Sequence, residues 1–178
     1  MFFVVLVFST VSQAQNFSGL DKSPMDIAYF PDNFAHDRKG EERAVARVIY
    51  SRPKKAGRAV FGKLVPYGKI WRTGANEATE IKFYQDIELA GKKVKAGTYS
   101  LFTVPGEKEW TIILNSDLDY WGAYSYKTEK DVVRITAWAE EANNAVEDFT
   151  IQFEKKGVNG GVMMLAWDKT VVSVPFTY

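Results

Sequence analysis

The sequence predicts an all-β fold: a single antiparallel β-sandwich of jelly-roll type, with a flattened β-barrel as the alternative. Three observations carry this. Short apolar or alternating segments recur along the chain, roughly eight to ten of them, at the spacing of sandwich and barrel strands. Gly, Pro and Asn punctuate the intervals between them. No amphipathic run longer than about three helical turns occurs, and no βαβ unit is visible.

The segments follow in chain order. Residues 1–11 read MFFVVLVFSTV, an apolar run too short to span a membrane as a helix. Ser12-Gln13-Ala14 follows and places small residues where a secretory leader is cut. Residues 1–14 therefore read as a signal peptide. It lacks the usual basic start, which implies a shortened N-terminus. Export to a periplasm or to the outside of the cell is the corresponding expectation. Residues 15–42 carry Pro24, Pro31, Gly40 and the polar run His36-Asp37-Arg38-Lys39. They read as an irregular N-terminal arm, with room for one helical turn within residues 26–34 that Pro31 limits. Residues 43–178 form the β-sandwich domain.

Within that domain, residues 44–50 alternate. Ala46, Val48 and Tyr50 face one way; Val45, Arg47 and Ile49 face the other. Residues 79–84 put Ile81 and Phe83 opposite Lys82. Residues 87–94 form a small hairpin turning at Gly91. Residues 98–104 are apolar on both faces, as in a central strand. Residues 110–115, 132–139, 149–153, 162–167 and 171–176 complete the series. Residues 140–147, EEANNAVE, suit a short helix or a connecting loop.

Composition excludes several chemistries. The chain has no Cys and one His, His36. That removes disulfides, Cys-ligated zinc, iron–sulfur clusters, thiol nucleophiles and a multi-His site. A formal charge of +1 gives no field that favours nucleic acid or an anionic membrane. GxxxxGK[ST], GxGxxG and GxSxG motifs are absent. Asp117-Leu118-Asp119 could offer two carboxylates to a hard cation, but it reads as a polar turn. Glu77, Glu80, Asp117 and Asp119 could supply a glycosidase pair, yet no spacing selects two of them. Tyr67, Lys69, Trp71 and Arg72 mix base and aromatic as oligonucleotide binders do, against the neutral total charge. No metal and no cofactor is expected. Neither a nucleic-acid partner nor an integral membrane span is expected, and the oligomeric state is left open.

Two segments concentrate binding chemistry. Residues 61–79 are long for a hairpin connection and carry Trp71, Arg72, Asn76 and Glu77. A guanidinium, an amide and a carboxylate beside a flat apolar ring suit a sugar or another small polar ligand. The competing reading is structural: Arg52 or Arg72 pairs with Glu77 and braces the loop. Residues 119–126, DYWGAYSY, contain Trp121 and Tyr124. They could stack on a carbohydrate, or fold over the core with Trp121 plugging one end. Arg52, Trp71, Arg72, Asn76, Glu77, Tyr99, Trp121 and Tyr124 are therefore the candidate ligand-binding residues. No catalytic residue is assigned.

Three functions follow from these features. The first is a binding module for a saccharide or other small polar ligand. The second is a structural envelope protein without ligand. The third is a metal-independent hydrolase or lyase. In it Glu77 is general acid/base, Arg72 stabilises negative charge, and Tyr99 or Tyr124 is an alternative proton donor.

Ordered blocks also carry a resemblance. They are Asp21-Lys22-Ser23-Pro24-Met25-Asp26, Tyr50-Ser51-Arg52-Pro53, Gly57-Arg58, Phe61-Gly62, Val65-Pro66-Tyr67-Gly68 and the run WRTGANEAT at residues 71–79. AGTYSLFTVP at residues 96–105, Trp110-Thr111-Ile112-Ile113 and Trp121-Gly122-Ala123-Tyr124 continue the series. Together they resemble the domain of unknown function 2911 family, over nearly the whole chain after the leader. The resemblance implies an exported protein of Bacteroidetes-type bacteria. It implies no activity and no catalytic residues.

Overall fold

The structure is a computed structural model and describes residues 17–178. The leader read in residues 1–14 lies outside the described residues. The described residues contain nine strands: β1 (Met25–Phe30), β2 (Ala46–Ser51), β3 (Thr79–Phe83), β4 (Ile87–Leu89), β5 (Lys92–Val94), β6 (Gly97–Val104), β7 (Glu109–Asn115), β8 (Asp131–Lys155) and β9 (Gly160–Thr177). All pairings are antiparallel, in the order β1-β2-β3-β6-β7-β8-β9-β4-β5.

The expected antiparallel β-sandwich is found, and its layers are continuous through β8. That strand pairs with β7 over Asp131–Trp138 and with β9 from Ala139 to Lys155. The sheet folds over on the way and does not close into a barrel. Its inward faces meet in one large core. Phe30 of β1 sits edge-on to Phe176 of β9, with ring centroids 4.9 Å apart, and Tyr50 of β2 sits edge-on to Phe149 of β8 at 5.8 Å. Beyond β2, Lys54 bridges Asp148, and the Phe149 N–H donates to Pro53 O at 2.9 Å.

The alternation expected of β2 is observed: Ala46, Val48 and Tyr50 are buried in the core. β6 is covered on both faces because a second cluster lies outside the sheet. There Phe102, Ile113, Ala78 and Tyr120 pack beneath the loop that follows β7. The hairpin between β4 and β5 turns on Ala90 and Gly91, both at positive φ, the backbone that a two-residue turn requires.

Three expectations need revision. Residues 140–147 are neither helix nor connecting loop; they continue β8 through register shifts between Glu141, Val146 and Thr150. The segments at residues 132–139 and 149–153 are accordingly one strand, as are those at 162–167 and 171–176. Within the arm, Met25–Phe30 is an edge strand, and the helical turn, α1 (Phe34–Asp37), starts only at the last residue of the expected 26–34 window. Pro31 lacks the N–H that would extend the ladder, so β1 stops there.

Candidate functional site

The site begins with a detour in strand pairing. Thr79 of β3 pairs with Leu101 of β6, and Trp71 bridges Thr103, two positions further along the same strand. Residues 72–78 must therefore leave the sheet and return almost to where they left. The Thr79 N–H closes the neck on Arg72 O at 3.1 Å. Thr73 and Asn76 take positive φ values of 57° each. That conformation is costly for a β-branched residue, by about 1–2 kcal/mol. Thr73 is fully buried, and its Oγ1 meets Thr103 Oγ1 at 3.2 Å. Gly74 approaches the backbone so closely that a Cβ would lie 3.0 Å from Ser51 O.

The loop is pinned on every side. Trp71 Nε1 donates to Gly74 O at 3.0 Å, and Thr79 Oγ1 donates to Thr73 O. The Ala78 N–H reaches Tyr120 O and the Gly122 N–H reaches Asn76 O, each at 2.9 Å. Asn76 Nδ2 donates to Asp21 Oδ1 at 3.0 Å. Backbone groups, hydroxyls, an indole and an amide do the bracing, without any Arg–Glu pair.

The expected ion pair of Glu77 with Arg52 or Arg72 is therefore overturned. Glu77 is exposed and borders a separate depression with Met25, Ile49 and Glu80. Its backbone bridges Trp121, and the left-handed turns at Thr73 and Asn76 send its side chain away from Arg72. Arg52, just past the end of β2, instead ties β1 to β8. It donates to Asp26 Oδ2 at 2.9 Å, Phe149 O at 3.1 Å and Thr150 Oγ1 at 2.9 Å.

Arg72 lines a cleft of about 430 Å³ together with Trp71, Trp167, Arg58, Lys69 and Asn76. That size suits a small ligand. Arg72 is half-buried, and its Nε is buried with no hydrogen-bond partner among the described residues. Desolvation holds the guanidinium below its ordinary pKa, and the Tyr124 phenol acts in the opposite sense. A buried donor without a partner is expensive, and more so on a charged group.

The remaining candidates are scattered. Trp71 is 7% exposed and belongs to a core cluster with Phe61, Trp110, Phe149 and Trp167; it meets the cleft from beneath. Tyr99 lies in the core away from the cleft, its hydroxyl donating to Lys95 O at 2.9 Å. Trp121 is 63% exposed and Tyr124 87% exposed, so Trp121 plugs nothing. The plugging is done by Tyr120 and Tyr126, whose rings sit edge-on to Phe102 with centroids 5.6 and 5.1 Å away. Asp117, considered for a cation, accepts from Tyr120 Oη at 2.8 Å and Lys127 Nζ at 3.0 Å. Those two bonds hold its carboxyl below the ordinary range.

Sequence reasoning passed over Arg58 and Trp167 as site residues. Arg58 stood in the Gly57-Arg58 block, which carried only the family resemblance. Trp167 carried no local signal, because β9 delivers it from the far end of the chain. A larger depression of about 640 Å³ lies beside α1 between Arg38, Glu42, Arg43 and Lys82; it mixes both charges and holds none of the expected residues. Among the described residues, no group of three or more His, Asp or Glu is placed to hold a metal ion, and no helix is long and apolar enough to cross a membrane.

A family model described as "Protein of unknown function (DUF2911)" matches residues 33–176. No curated protein and no solved structure matches the chain.

Proposed function

The chain belongs to the DUF2911 family, which brings no activity with it, and from the geometry we propose that the protein is an exported module that binds a small polar ligand, of saccharide size, in the cleft beside Arg72. One observation carries this reading. The loop is braced without the Arg72 side chain, which nevertheless keeps a buried Nε with no partner among the described residues at the cleft wall. A side chain that braces is usually paired, and unlike Arg47 and Trp110, whose buried Nε and Nε1 also lack partners among the described residues, Arg72 lines the cleft. The apolar leader in residues 1–14 supports export. Leu64, Pro66 and Ile70 supply the apolar wall that such ligands need, with the buried Trp71 and Trp167 indoles beneath it.

The hydrolase reading loses its motive, since Glu77 and Arg72 line different depressions. A purely structural role retains support from the dense bonding around residues 72–78, and the same experiment decides it. Indole resonances of Trp71 and Trp167 are followed by NMR during titration with a panel of neutral and acidic monosaccharides. Selective movement of these two indoles supports binding in the cleft. A panel that moves neither of them overturns it in favour of the structural role.

A further inference from the structure

The cleft has a one-sided charge. Arg58, Lys69 and Arg72 line it, and no Asp or Glu does. None of the three takes an ion pair among the described residues, whereas Arg52, Lys55, Lys127 and Arg134 each meet a carboxylate within 3.0 Å. The chain as a whole is nearly neutral, so this concentration is local. Asp21, at the rim, is already engaged by the Ser23 N–H and by Asn76 Nδ2.

The three cations differ in freedom. Arg58 is exposed and donates from Nε and Nη2 to Lys55 O and Lys54 O, which fixes its guanidinium at the rim. Lys69 is exposed. Arg72 is set deepest, with its Nε buried and unanswered. A neutral ligand can accept a hydrogen bond from the Nη groups and leave the charge uncompensated. An oxyanion can accept from both Nη groups, and it neutralises the charge in the same step.

Resting on the ligand-binding reading above, we propose that the cleft is specific for an acidic ligand, one whose carboxylate or sulfate docks on the Arg72 guanidinium while its body lies against Leu64, Pro66 and Ile70, above the buried Trp71 and Trp167 indoles. Lys69 and Arg58 add attraction at the rim. The site is then an anion-recognition pocket with an apolar floor, and an uncharged sugar of the same shape is a poor ligand.

The test uses glucuronate, glucose and inorganic sulfate as probes, with calorimetry and the two indole resonances as readouts. Glucuronate should bind about tenfold or more tighter than glucose, as a charge-assisted bond predicts. Raising NaCl to about 1 M should erase most of that difference. Arg72→Gln should abolish the preference and Arg72→Lys should restore part of it, while Arg58→Gln should weaken both acidic probes only modestly. Sulfate binding as tightly as glucuronate supports the anion site and assigns the ring no role. Equal binding of glucose and glucuronate, with both moving the indoles, overturns acid specificity and leaves the ligand-binding reading standing. No response to any probe overturns both. The salt titration needs no variant, so the test survives if Arg72→Gln fails to fold.

Discussion

The indole of Trp71 lies nearly parallel to that of Trp167, with ring centroids 6.0 Å apart and 19° between their planes. The two rings come from the detour before β3 and from β9, so the contact joins the two layers of the sandwich under the cleft. Phe149 packs against both, at 5.1 and 5.9 Å. Trp71→Ala should therefore cost about 3–5 kcal/mol of unfolding free energy, the range for a buried large aromatic. Trp71→Phe keeps most of the packing and loses the hydrogen bond to Gly74 O, so it should cost about 1–2 kcal/mol. Denaturant unfolding followed by circular dichroism measures both.

Arg52 offers a second test, of geometry against charge. Its ion pair with Asp26 is partly exposed, at 33% and 44% for the two side chains, and pairs of that kind contribute about 0–1 kcal/mol. The bonds to Phe149 O and Thr150 Oγ1 need the planar fork. Arg52→Lys keeps the charge and loses the fork, so it should be destabilised by about 1–3 kcal/mol. Asp26→Asn should lose less. If Arg52→Lys matched the wild-type midpoint, the fork would carry no stability.

The loop after β7 should respond to alkali. Burial first, then Asp117, pushes the Tyr120 phenol up to about 12, and burial with Asp131 does the same for Tyr126. An unfolded tyrosine ionises near 10, so the folded state holds these two protons more tightly. Their stabilisation is complete below pH about 10 and is lost as pH rises towards about 12. A fall in melting temperature across that window is expected, smaller in Tyr126→Phe. A flat profile in the wild type would contradict it.

Trp121 and Tyr124 stand out from that anchored loop into solvent. The double variant Trp121→Ser/Tyr124→Ser should change stability by no more than about 0.5 kcal/mol, as exposed substitutions do. Neither ring lines the cleft, so ligand affinity there should stay unchanged along with the melting curve.

How much of this was legible in the sequence depended on where the signal lived. The strand faces of residues 44–50 and 149–153 were readable because alternate side chains enter one core. The continuity of β8 was not, because Glu140, Glu141, Asn143 and Asn144 send no side chain into the core. Backbone pairing and bulges carry the chain through that stretch. β1 was obscured in the same way, since only Phe30 of its residues is fully buried. The site segment at residues 71–77 was visible as an unusual cluster. Its internal arrangement was not, because two left-handed residues turn Glu77 away from Arg72 and the partner of Arg52 lies in the arm. Arg58 and Trp167 reach the cleft only through tertiary folding.

The seam where residues 50–55 meet β8 also has a kinetic meaning. Tyr50 Oη bonds Ile151 O, 101 positions away, and Arg52 bonds Phe149 O, 97 positions away. The β8–β9 hairpin, by contrast, closes through a short turn at residues 156–159, where the Lys156 N–H meets Gly160 O at 2.9 Å. Loop closure favours the near contact first, so the hairpin can template the fold and the seam locks last. An all-β chain with such distant pairings should refold in about milliseconds to seconds. Weakening the seam should then leave the refolding rate almost unchanged and shorten the lifetime of the folded state. The residues that zip the sandwich shut thus act as its latch, setting how long the molecule stays folded rather than how quickly it folds.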